Sequence, residues 1–292
     1  MCKTKNSTCI LILSSILLIF SFIVIGINAL YFKFPGNNYF PPHATIIGFT
    51  VLLMWCGCSL QFGSNHKFSK TSKELVYFFL IMALIALTTV AVQFTPFTPI
   101  DQSIVDLEVL LGFKMEVILQ WTAEHPKLNH LLAFIYDTIP EQMSYIPLVV
   151  IVCQRFERVR EYYFLLLFSA LIGFSIYYFF PTLAPASIIN SPLFGEAQRA
   201  TGLKFQQIHH YIAPTTMDGG MVAFPSFHAI WAWYCVYIIR DWPIVAAILL
   251  PINILLIASC MLLGWHYPID IIFSIIIILL SHWAYRFCGR RW

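Results

Sequence analysis

Charge is what this chain has least of. Asp, Glu, Lys and Arg make up 11% of its 292 residues, against roughly 25% in a soluble domain. So few charges cannot coat a water-facing surface, which excludes an ordinary soluble fold. No CxxC pair is present among the eight cysteines, so no zinc or dithiol redox site is expected. The cysteines sit mostly in apolar runs and read as small core residues. Net charge is only +3, too mild a balance for a nucleic-acid partner. Internal repeats and low-complexity tracts are also absent. The first apolar run is too long for the core of a cleaved signal peptide, so it reads as a retained helix.

What is present is hydrophobic length. Apolar residues supply 59% of the chain, and mean hydropathy is +0.77. A crossing needs roughly 20 apolar residues. Eight stretches qualify, at about 9–32, 44–62, 75–97, 132–153, 161–180, 222–240, 242–263 and 267–287. The fold class expected is all-α, a polytopic transmembrane bundle of about eight helices. The fourth stretch is interrupted by Asp137, Pro140 and Glu141, and the sixth is short.

The basic residues set an orientation. Lys3 and Lys5 precede the first helix. Lys67, Lys70 and Lys73 lie between the second and third, and Arg155, Arg158 and Arg160 between the fourth and fifth. Arg240 lies between the sixth and seventh, and Arg286, Arg290 and Arg291 close the chain. Eight crossings put all of these on one side, the cytoplasmic one, with both termini. The opposite segments carry Asp101, Asp106, Glu108 and Glu116. Two of them are long: 98–131, with an amphipathic stretch from Val105 to Trp121, and 181–221, rich in Pro, Ser, Thr and Gly up to Asp218-Gly219-Gly220.

Two short segments carry the chemistry, and both begin helices at the outer face. In Gly264-Trp265-His266-Tyr267-Pro268-Ile269-Asp270, Pro268 suits a first helical turn. Asp270 lies four residues beyond His266, within reach of its ring. A carboxylate on one ring nitrogen fixes the tautomer and leaves the other free to attack. In Phe224-Pro225-Ser226-Phe227-His228, Ser226 is a candidate helix cap or phosphate ligand. His228 is then placed to protonate a leaving oxygen. A single histidine near a helix end is more often an interfacial residue, and His43, His66, His125, His130 and His282 are read that way.

Pro225-Ser226-x-His228 and His266-Tyr267-Pro268-x-Asp270 resemble the second and third motifs of the type 2 phosphatidic-acid phosphatase superfamily. The resemblance covers about 75–287, a six-helix catalytic core. It leaves 1–74 as two accessory helices and 288–292 as a basic cytoplasmic tail. It implies that His266 is the nucleophile, Asp270 its partner, His228 the acid and later base, and Ser226 a phosphate ligand. Neither metal nor cofactor is implied. The third motif usually opens with Ser-Arg, where this chain has Ser259-Cys260, and the first motif is missing. In its place stands Phe180-Pro181-Thr182-Leu183-Ala184-Pro185, which resembles the inositol-phosphorylceramide synthase branch, an inositolphosphotransferase group. Arg199, Lys204, His209 and His210 in the long outer loop are the candidates to neutralise phosphate in place of the absent arginine. The implied partner is a membrane lipid with a phosphate headgroup. Three functional expectations follow: a lipid phosphatase or phosphotransferase working through a phosphohistidine, a headgroup transferase to a lipid alcohol, or an inactive lipid-phosphate binder or transporter.

Overall fold

A computed structural model describes residues 2–34, 43–216 and 219–290, with side chains described for 7–288 of these. The side chains of Lys3, Lys5 and Arg290, and all of Asp218 and Arg291, fall outside the described residues. Regular structure among the described residues is entirely helical. In chain order the helices are α1 (Cys2–Leu30), α2 (Ala44–Phe62), α3 (Lys67–Gln93), α4 (Asp101–Leu110), α5 (Met115–Ala123), α6 (Pro126–Tyr136) and α7 (Ile139–Val152). There follow α8 (Phe156–Phe179), α9 (Pro185–Ile188), α10 (Glu196–His209), α11 (Phe227–Ile238), α12 (Pro243–Leu262) and α13 (Pro268–Arg290).

Six helices, α1, α2, α3, α8, α12 and α13, are long and apolar enough to cross a membrane, while α7 and α11 are apolar but shorter. The fourth expected span is therefore not one helix. It breaks at Asp137 and Thr138, between α6 and α7. Pro140 explains the break: in a continuous helix its ring would meet the carbonyl of Tyr136. It sits instead in the first turn of α7, where a missing N–H is no loss.

The bundle is organised around α8, which packs against α1, α3, α7, α11 and α13. Gly173 lets α11 approach closely, since a Cβ there would come within 2.7 Å of the Phe227 ring. α1 is a packed member of the bundle. Its Ser21 Oγ lies 2.8 Å from Thr88 Oγ1 of α3. Asn28 Nδ2 donates to the Ala91 carbonyl at 3.0 Å, and Asn28 Oδ1 accepts from Tyr178 at 3.0 Å. α2 buries no residue and packs chiefly against α3.

Ion pairs fasten one end of the bundle. Arg160 meets Glu74 at 3.6 Å, Arg158 meets Asp241 at 2.7 Å, and Arg240 pairs with Glu161. The buried Glu161 also accepts from Tyr237 at 2.8 Å. These contacts bring together the starts of α3 and α8 and the α11–α12 turn. The opposite end is covered by α4, α5, α6, α9 and α10, and the two sequence motifs lie there.

Candidate active site at the helix-covered end

Ser226 starts α11 as its N-cap, accepting from the Ala229 N–H at 3.4 Å. His228 is thereby fixed in the first turn. α13 begins at Pro268, and the turn before it is held by the Gly264 backbone. Gly264 has φ +79°, and a Cβ there would come within 2.8 Å of Leu119 and Phe194. The His266 N–H donates to the Cys260 carbonyl at 2.9 Å, folding the turn back over the end of α12.

The two imidazoles converge. Their ring centroids are 6.0 Å apart, with planes at 58°. Asp270 Oδ2 lies 3.2 Å from His266 Nδ1 and also accepts from the Tyr267 N–H at 3.0 Å. The Ala223 carbonyl faces the same ring, and burial draws the His266 pKa down to about 4. His266 is therefore neutral at physiological pH, the state a nitrogen nucleophile requires. Asp270 Oδ1 is buried without a hydrogen-bond partner.

Ser274 joins the two segments, donating to the carbonyls of Ser226 and Asp270 at 2.9 and 2.7 Å. The start of α11 is thus level with the second turn of α13, so the histidine pair is recessed. α11 has 12 residues and is about 18 Å long at 1.5 Å per residue. A hydrocarbon core is roughly 30 Å thick, so α11 is shorter than a full crossing.

Aromatic rings back His228. Tyr136, the last residue of α6, stacks on it at 4.5 Å and 17°, and on Trp265 at 5.1 Å and 2°. The break after Tyr136 gives this ring its place. Cys260, where the resembled motif carries arginine, is fully buried. Its thiol lies against Ser226 and near Tyr136 and Asp270.

Of the sequence-derived candidates, His228, His266, Asp270 and Ser226 are brought together. The other four, Arg199, Lys204, His209 and His210, lie on α10 or cap its end and do not converge as a group. Arg199 is exposed, and its guanidinium donates to the Phe194 carbonyl. It follows Gln198, whose amide donates to the Leu263 carbonyl in the turn before His266. Lys204 is fully buried and donates to the Gly219 carbonyl at 3.3 Å. His209 lies about 16 Å along the helix from Gln198, near Tyr211, which stacks on Phe34 beyond α1. Its Nε2 is buried without a partner, and burial lowers its pKa to about 4. Arg199 is therefore the α10 cation next in sequence to the residue that touches the catalytic turn.

Sequence reasoning missed Tyr136 and Trp265, whose only signal was aromatic character near helix ends. It also missed two buried acids, Asp101 and Glu108. Their signal was a shared helical face with Ile104, at spacings of three and four.

The chain matches the family described as PAP2 superfamily over residues 102–284, more than half its length. No curated protein and no solved structure matches it.

Proposed function

The chain belongs to the PAP2 superfamily, whose members are generally phosphatases or phosphotransferases, and we propose that it transfers a phosphoryl group from a lipid phosphate through His266. The observation that carries the reading is the pair of imidazoles with centroids 6.0 Å apart, one of them bonded to a buried carboxylate. The free nitrogen of His266 attacks phosphorus, forming an N–P bond as the P–O bond to the lipid breaks. His228, which takes up its proton together with the bound phosphate, gives that proton to the departing oxygen. Water or an acceptor hydroxyl then gives a proton back to His228 and attacks phosphorus, breaking the N–P bond. Asp270 holds the ring and stabilises its positive charge. Ser226 and Arg199 are the proposed phosphate contacts, and Lys204 and His209 are headgroup candidates on charge alone. No step calls for a metal.

The recessed position of His228 favours a substrate that enters from the bilayer. The pattern Phe180–Pro185 with Phe224–His228 favours the inositol-phosphorylceramide synthase-like branch, in which a phosphorylated headgroup passes to a lipid alcohol. The basic end is proposed to face the cytoplasm and the histidines the periplasmic, luminal or extracellular side. In this reading 75–287 is the catalytic core, 1–74 contributes two accessory helices, and 288–292 is a basic cytoplasmic tail.

The test uses purified protein and a fluorescent lipid phosphate. Wild type releases phosphate or exchanges the headgroup without added metal, vanadate inhibits it, and a radiolabelled donor leaves acid-labile label on the protein. His266→Ala loses both activity and label. Full activity in that variant removes the nucleophile assignment.

A further inference from the structure

Two carboxylates of α4 grip the turn that carries His266, and the histidine chemistry uses neither. Asp101 is 1% exposed. Both of its oxygens accept from the Leu183 N–H, at 3.0 and 2.8 Å, and Oδ1 also accepts from the Tyr267 hydroxyl at 3.0 Å. One carboxylate thereby ties three segments: the start of α4, the strip after α8, and the α12–α13 turn. Seven residues on, along the same face, Glu108 Oε1 accepts from the Ile269 N–H at 3.0 Å. That N–H is in the first turn of α13, where no intrahelical acceptor exists. Between the two acids, Ile104 packs in an apolar cluster with Met115, Leu119, Phe194 and Tyr267.

The consequence lies in Tyr267, which is fully buried and held at both ends. Its hydroxyl is anchored on Asp101, and its N–H is bonded to the same Asp270 oxygen that meets His266. Displacing Tyr267 displaces that oxygen, and the imidazole with it. Misplacement by about 1 Å can cost about 10²-fold in rate.

We propose that α4 is a clamp for the catalytic turn, with Asp101 and Tyr267 as positioning residues that set the His266–Asp270 geometry and Glu108 as a second fastening on α13. The clamp rests on the reading of His266 as nucleophile. The titratable groups facing Asp101 are Tyr267 and Asp270 of the turn and Tyr177 of α8. Burial holds Asp101 up to about 6, and its hydrogen bonds oppose that rise. Protonation leaves its carboxyl a poorer acceptor for the three bonds it makes.

The experiment compares Tyr267→Phe, Asp101→Asn, Asp101→Ala and the Asp101→Asn/Tyr267→Phe pair in the full chain, with the fluorescent lipid phosphate as substrate. Tyr267→Phe removes one oxygen and keeps the packing. It is expected to lower kcat about tenfold with KM within about twofold, because misplacement acts on the chemical step. Asp101→Asn, whose amide oxygen still accepts, retains more activity than Asp101→Ala. The double variant is no slower than the worse single one, as two ends of one bond require. Wild-type kcat is expected to fall below about pH 6, and Asp101→Asn to lack that fall. Wild-type kcat in Tyr267→Phe and Asp101→Asn, beside an inactive His266→Ala, overturns the clamp and leaves the nucleophile standing. Fully additive losses, or losses that follow only the folded fraction measured by thermal melting, overturn it as well. An active His266→Ala strikes the reading of the site instead.

Discussion

Tyr136 and His228 lie face to face, centroids 4.5 Å apart and planes within 17°, although they come from helices far apart in sequence. The stack fixes one face of the imidazole proposed as the acid, and Trp265 stacks on the same tyrosine. An aromatic pair of this kind contributes about 0.5–1.5 kcal/mol beyond its area. Tyr136→Phe keeps the ring and is expected to stay within about threefold of wild-type kcat. Tyr136→Ala frees His228 and is expected to lower kcat about three- to tenfold or more. Steady-state kinetics on the two variants decide the matter, and equal rates would show that the stack does not position His228.

Asp270 makes its contacts through one oxygen, which meets both His266 Nδ1 and the Tyr267 N–H. Asp270→Asn keeps the size but presents either a neutral oxygen or an amide to the ring. Where an aspartate orients a catalytic histidine, this change costs on the order of 10⁴ in kcat. The variant is expected to fold, bind substrate with similar KM, and lose at least about a hundredfold in kcat. A loss confined to KM would assign Asp270 to substrate binding.

The buried acids of α4 give stability a pH dependence with a definite sign. Burial raises Asp101 from 3.8 to about 6 and Glu108 from 4.5 to about 7. A carboxyl whose folded pKa exceeds its unfolded value binds its proton more tightly when folded. Its contribution is therefore complete below about pH 4 and is lost as pH rises through the folded pKa. Thermal unfolding in detergent is expected to shift to lower temperature between about pH 4 and pH 7. Asp101→Asn with Glu108→Gln flattens that slope. A profile that rises over the same window in wild type contradicts the burial of these groups.

Gly264 holds a backbone conformation that other residues adopt at a cost of about 1–2 kcal/mol. A Cβ there also meets Leu119 and Phe194 at 2.8 Å. Gly264→Ala is expected to lower stability by at least about 1–2 kcal/mol and to reduce activity in the fraction that still folds, because the turn leads directly into Trp265 and His266. Melting and specific activity per folded molecule separate the two effects.

Much of this arrangement was legible before any coordinate. Hydrophobic length identified the six helices long enough to cross, because lipid leaves a chain few other options, and overcounted at the shorter α7 and α11. The spacing of His266 and Asp270 by one helical turn announced their contact. What stayed hidden was long-range. The break in the fourth span follows from Pro140, but only the fold shows that it delivers Tyr136 to His228. Asp101 and Glu108 read only as acids of an outer segment, since nothing local says that a short amphipathic helix buries its acids. The α10 cations were chosen by charge alone, and charge does not report direction: Lys204 turns to a backbone carbonyl, and His209 lies far along the helix.

Cys260 provides the last test, because it stands where the resembled motif has arginine. Its thiol is fully buried, donates to the Leu256 carbonyl at 3.4 Å and lies against Ser226. A thiol so enclosed has no path to an external reagent, and reactivity requires an accessible thiolate. N-ethylmaleimide is expected to leave activity intact in detergent at neutral pH. Cys260→Ser keeps a small group able to bond the same carbonyl and is expected to stay within about fivefold of wild type. Cys260→Arg forces a guanidinium into packed space beside Asp270. Overpacking alone costs about 1–3 kcal/mol, so that variant is expected to lose folded protein rather than gain rate. A faster Cys260→Arg enzyme would mean that the pocket beside Ser226 has room for a cation and that phosphate neutralisation limits the native reaction.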